Sequence, residues 1–161
     1  MSSIPDNNNE KTLYAVVDSF SRNQINESSL AAYRTLFENK IKLNEMISTG
    51  LSYYLFEKVQ DNAPFSKEEW ARFLDVSVKT LDRYKHNNKS FKTFQSEKII
   101  GMIEVIERGI EVLGDMKMLK KWLYTPIPAF SDSKPIDLLN SSYGKELLLD
   151  ELGRIEYGIF A

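Results

Sequence analysis

The chain has 161 residues, 42% of them hydrophobic and 12% aromatic, enough for one sizeable core or two small ones. Its formal net charge of −2 creates no global field toward nucleic acid or membrane, so any electrostatic case for a partner must be local. Cysteine is absent and His86 is the single histidine, which excludes disulfides, zinc fingers and thiol catalysis and argues against a metal site or a histidine relay.

No basic-then-apolar leader opens the chain and no run of roughly 18 apolar residues occurs, so neither secretion nor membrane insertion is expected and the cytoplasm fits. Residues 1–9, ending in Asp6-Asn7-Asn8-Asn9, read as a disordered tail. In residues 10–49, Leu13, Val16, Val17 and Phe20 make a short helical face. Leu30, Tyr33, Phe37 and Ile41 make a second one, running on through Leu43, Met46 and Ile47 to a stop at Gly50.

Residues 50–98 carry sharper signals. Tyr54, Leu55, Lys58 and Val59 fit a helix that ends before Pro64. Ser66 and Glu69 form a capping box, with Phe65 and Trp70 at the staple positions beside it, for a helix burying Trp70, Phe73 and Leu74. Asp75 breaks that helix in place of the usual turn glycine; aspartate tolerates the left-handed conformation better than most residues. Ser77 then caps a second start, with Val76 and Leu81 as a staple. Two capped helices joined by a short turn spell a helix-turn-helix.

Residues 99–161 are helical again. Ile99, Ile103, Ile106, Ile110 and Leu113 repeat at helical spacing up to Gly114, and Leu119, Trp122 and Leu123 share a face of the next helix, stopped by Thr125-Pro126-Ile127-Pro128. Pro135 opens a helix leading to Leu138 and Leu139, and Ser141 or Ser142 caps a last one with Leu148, Leu152, Ile155 and Ile159 in register. No stretch alternates long enough for a strand. The expected fold is all-α, with a helix-turn-helix unit followed by a small helical domain.

In the second helix of the motif, Val78, Leu81 and part of Tyr84 should be buried, leaving Ser77, Lys79, Thr80, Asp82 and Arg83 outward. Ser77 and Thr80 suit phosphate oxygens at a helix N-terminus, and the Arg83 fork suits a guanine edge or a phosphate. From Lys79 to Lys92 five basic residues stand against one acid, and Lys85 and Lys89 complete the candidate DNA contacts. His86 reads as a surface residue.

The chain ends on Tyr157-Gly158-Ile159-Phe160-Ala161 with no polar tail, and residues 132–161 hold six acids and three bases. Such an end should pack against something. Trp122, Leu123, Leu138, Leu139, Leu148 and Leu152 read as core that supports the domain without touching a partner; Trp122, if buried, would cost about 3–5 kcal/mol on truncation to alanine. Gly144, Gly153 and Gly158 suit close helix approach or the final cap. Arg154 either pairs internally with Asp150, Glu151 or Asp137, or reaches the partner.

The elements Lys121-Trp122-Leu123-Tyr124-Thr125-Pro126, Lys134-Pro135-Ile136-Asp137-Leu138-Leu139, Tyr143-Gly144 and Gly153-Arg154-Ile155-Glu156-Tyr157-Gly158, in this order, resemble the Xre/MbcA/ParS antitoxin family. Ala71, Leu74, Val76, Ser77, Thr80, Leu81 and Arg83 look like that family's helix-turn-helix, so the resemblance covers roughly residues 50 to 161. It implies an antitoxin that covers the active site of a RES-domain, NAD-degrading toxin, represses its own operon and forms a homodimer. Toxin contacts are then expected from Arg154, Tyr157, Gly158, Ile159, Phe160 and Ala161, and no cofactor is implied. The family carries two glycines after the aromatic or leucine that follows the prolines, where this chain has Phe130-Ser131-Asp132-Ser133, which implies a differently folded loop. A stand-alone helix-turn-helix regulator is the competing reading. An enzyme is disfavoured, because no nucleophile–base pair and no phosphate loop occur.

Overall fold

The computed structural model describes Leu13 and residues 39–158. Among these the protein is helical, and its one strand-like pairing is an antiparallel bridge between Ser52 and Ser90. The anticipated tail at 1–9, the faces formed by Val16, Val17 and Phe20 and by Leu30, Tyr33 and Phe37, and the terminal Ile159, Phe160 and Ala161 lie outside the described residues. Two compact units are present, divided after Ile99.

In the first unit, α1 spans Lys40–Thr49 and stops at Gly50, where φ is 90°. Asn39 caps it by accepting a hydrogen bond from the Lys42 amide at 3.1 Å. That cap overturns one expectation: the apolar pattern from Leu30 does not run unbroken to Gly50, because Asn39 leaves helical geometry and begins a new helix. It also changes what faces inward. Ile41 is 75% exposed, whereas Met46 is buried.

Helix α2 (Tyr53–Asn62) is capped by Ser52 and closes at Ala63, ahead of Pro64 as its sequence demands. Helix α3 (Lys67–Phe73) carries the full capping box: Ser66 Oγ accepts from the Glu69 amide at 3.1 Å, and the Ser66 amide donates to Glu69 Oε2 at 2.8 Å. Asp75 takes φ 53° in the turn, and α4 (Val78–His86) starts from Ser77, whose Oγ accepts from the Thr80 amide at 3.0 Å.

Helices this short are marginal alone, so packing must hold them. An aromatic cluster does so. Trp70 is fully enclosed, edge-to-face with Phe56, Phe65 and Phe73 at ring distances of 5.2, 5.4 and 6.1 Å. Its Nε1 has no hydrogen-bond partner. Phe91 extends the cluster to Phe56, Tyr84 and Tyr53 at 5.0, 5.4 and 6.0 Å. Pairs of this kind contribute about 0.5–1.5 kcal/mol each beyond burial. Residues 50–53 lie against 89–91, with Phe91 N donating to Leu51 O at 2.8 Å and Tyr53 N to Lys89 O at 3.2 Å. A Cβ at Gly50 would collide with the Phe91 carbonyl, which is why glycine stands there.

The division between units falls within α5 (Thr93–Leu113), which begins ahead of the isoleucine repeat and ends at Gly114. The second unit continues with α6 (Met116–Leu123), capped by Asp115, a 3-10 turn at Pro128–Phe130, α7 (Pro135–Leu138) and α8 (Ser142–Glu156). Of the two candidate serines, Ser141 caps α8, accepting from the Gly144 amide at 3.0 Å. The core is aliphatic: Ile103, Ile106, Leu119, Leu123, Leu139, Leu148 and Leu152 are fully buried.

Trp122 and Leu138, expected in that core, are only half-buried; Trp122 stands beside Phe130 at 6.5 Å. A Cβ at Gly144 would run into the Leu138 carbonyl, so the first turn of α8 rests directly on the end of α7. Gly153 has nothing within 4 Å of a Cβ, so the close approach anticipated there does not exist. Ser131 and Asp132 take φ values of 53° and 62°. Both residues occupy the left-handed region that glycine enters freely.

Candidate functional site

Two surfaces gather the residues that the sequence singles out. The first is the outer face of α4. Leu81 and Tyr84 are buried and Val78 is half-buried, so the helix leaves Ser77, Lys79, Arg83 and Lys85 exposed, with Thr80 half-exposed and Lys89 exposed just beyond its end. Ser77 and Thr80 are tied together, their hydroxyls 2.9 Å apart. The single acid of this stretch, Asp82, is engaged by Lys67 of α3. Lys85 pairs with Glu57 at 2.6 Å, and Lys89 lies over the Tyr84 ring at 4.9 Å.

Lys79 and Arg83 have no acidic partner among the described residues. Four residues apart, they share one side of the helix, which leaves two free cations where an anionic ligand would meet them. Hydrogen bonding to Glu57 raises the Lys85 pKa above its ordinary 10.5. A raised folded value means that this pair's contribution is fully present below 10.5 and is lost only as pH climbs through the folded value.

The second surface is the end of α8. Arg154 is exposed, and its Nε donates to Glu151 Oε2 at 2.8 Å, so of the internal partners considered Glu151 is the one used. Tyr157 closes the helix with 77% of its surface exposed, and Gly158 follows with φ 67°. Ile159, Phe160 and Ala161 continue outside the described residues.

Sequence reasoning missed what aims this end. Arg108 of α5 donates Nη1 to Glu156 Oε1 at 3.3 Å and Nη2 to Glu156 Oε2, and Nη1 also reaches Glu111 at 3.0 Å. A planar fork on a carboxylate fixes orientation as well as distance. The hydrogen bond to Glu156 is the main cause that raises the Arg108 pKa, so the cation persists at every working pH. The partners are 48 residues apart, beyond any local spacing rule. Lys145 binds Glu104 at 3.0 Å and gives α8 a second tie to α5.

Residues 108–158 match the sequence model of a family described as the antitoxin Xre/MbcA/ParS C-terminal toxin-binding domain. Among curated proteins, the chain is similar to an Antitoxin Xre of Photorhabdus laumondii, 24% identical over 73% of this chain and 80% of that one. An Antitoxin Xre of Yersinia enterocolitica is 26% identical over 74% of this chain and 81% of its own length. A protein of a Sphingobium species named Prs ADP-ribosylating antitoxin is 29% identical over 55% of this chain and 61% of that one. The matched domain begins at the arginine of the clamp and ends one residue after the exposed tyrosine.

Proposed function

We propose that this chain is an antitoxin of the Xre/MbcA/ParS kind, a reading supported by the match of residues 108–158 to that family's toxin-binding domain and by the chain's similarity to antitoxins. It neutralises a RES-domain toxin that degrades NAD, by laying Arg154, Tyr157, Gly158, Ile159, Phe160 and Ala161 over the toxin's active site. As a homodimer it also represses its own operon, with Ser77, Lys79, Thr80, Arg83, Lys85 and Lys89 on operator DNA. The observation that carries the first part is the 77% exposure of Tyr157 at the end of a domain described as toxin-binding. An acidic, apolar end of this kind suits a cleft built for a phosphate-bearing dinucleotide. The second part rests on the unpaired Lys79 and Arg83 on the face of a capped short helix.

The Sphingobium relative's name, which carries the word ADP-ribosylating, favours a second reading of the toxin's chemistry, in which ADP-ribose is transferred from NAD and nicotinamide is released. Both readings place the same dinucleotide in the cleft. The test is deletion of Tyr157–Ala161 in the full chain, co-expressed with the product of the neighbouring reading frame. Growth arrest and loss of cellular NAD are expected to return, with the helical signal of the chain unchanged. Full protection by the truncated chain would overturn the reading.

A further inference from the structure

Helix α8 carries a second feature that the end-on contact does not use. Tyr143, Glu146, Asp150, Arg154 and Tyr157 are all exposed, and their spacings of three, four, four and three residues keep them on one side of the helix. The opposite side is consumed by the core through Leu148 and Leu152. Tyr143 is 73% exposed and Tyr157 77%, one phenol at each end of a stripe about 21 Å long at about 1.5 Å per residue. Between them stand two acids with no ion-pair partner among the described residues, Glu146 and Asp150, and Arg154, whose charge Glu151 already offsets.

We infer that the outer stripe of α8 is a docking surface for the toxin, taking a basic strip of that protein between two sites that each receive a tyrosine ring. This rests on the antitoxin reading and deepens it. Three observations choose the occupant. The stripe lies inside the matched toxin-binding domain, and it includes Arg154 and Tyr157, already assigned to the toxin contact. Its charge is acidic, so it selects a basic partner face and repels a second copy of itself. Exposed tyrosines offer large contact area at little conformational cost, and interface energy concentrates on such anchors. Docking along α8 would hold the toxin while the terminal residues enter its cleft.

The experiment uses the full chain and a catalytically inactive form of the neighbouring reading frame's product, titrated by calorimetry. Tyr143→Ala is expected to weaken binding about tenfold or more, far from the terminal residues. Asp150→Lys should slow association and weaken its dependence on salt. Tyr54→Ala, an exposed tyrosine in the first unit, should change nothing. Wild-type affinity for both α8 variants, with binding still abolished by deletion of Tyr157–Ala161, would overturn the stripe and leave the antitoxin reading intact. Absence of binding by the unaltered chain would overturn both. A shift from dimer to monomer in Tyr143→Ala, at unchanged toxin affinity, would assign the stripe to self-association and also overturn the inference.

Discussion

The two units of this protein solve the same problem with different materials. The first holds helices of seven to ten residues with caps and an edge-to-face aromatic cluster centred on Trp70. The second uses helices of up to 15 residues, the larger part of α5 and a core of leucine and isoleucine, with its own tryptophan left half-open at the margin. The cations of the two candidate surfaces differ as well. On α4, Lys79 and Arg83 stay unpaired; on α8 and its α5 neighbour, Arg108, Lys145 and Arg154 are all engaged by the unit's own carboxylates. A surface with free cations can exchange counterions for phosphates. A surface whose cations are already satisfied can offer only its rings and its remaining acids.

The sharpest way to break this comparison is to exchange the fates of the tryptophans. Trp70→Ala should destabilise the chain by about 3–5 kcal/mol in urea unfolding, whereas the half-buried Trp122 should cost about 1–2 kcal/mol. Equal losses would mean that the aromatic cluster is not what holds the first unit. Next in size, replacing Lys79 and Arg83 together by alanine should lower operator affinity about a hundredfold, or about 2.8 kcal/mol at about 1.4 kcal/mol per tenfold. The salt slope should fall by about two and toxin affinity should not move; a matching fall in toxin affinity would erase the division of charge. Gly144→Ala sets a methyl against the Leu138 carbonyl and should cost about 2 kcal/mol of thermal stability. The smallest expected effect is a gain. Ser131→Gly removes a left-handed strain of about 1–2 kcal/mol and restores glycine's entropy cost of about 0.5–1 kcal/mol, so a net stabilisation of about 0.5–1 kcal/mol should appear by calorimetry.

What was legible beforehand follows from range. Caps at Ser66 and Ser77, the stop before Pro64 and the left-handed Asp75 are decided within four residues and could be read from neighbours alone, whereas the last cap stayed open between Ser141 and Ser142. Leu81 and Tyr84 on α4 and Leu148 and Leu152 on α8 followed from spacing for the same reason. Ile41 misled because an apolar residue in step with a pattern still faces outward when the helix starts only after Asn39. Trp122 misled because periodicity assigns a face but not how deeply that face is covered. The Arg108–Glu156 clamp was invisible, since nothing near either residue announces a partner on another helix. Of the candidate site, the α4 surface and Tyr157 were legible; the device that aims the last helix was not.

The two tryptophans, placed one in each unit, make the protein its own dual thermometer. Trp70, walled in by rings and with no hydrogen bond at Nε1, should emit at short wavelength, and half-open Trp122 should emit further to the red. A Trp122→Phe variant would leave a fluorophore reporting on the first unit alone. Heating it beside the unaltered chain would tell whether both units melt in one cooperative step or in succession.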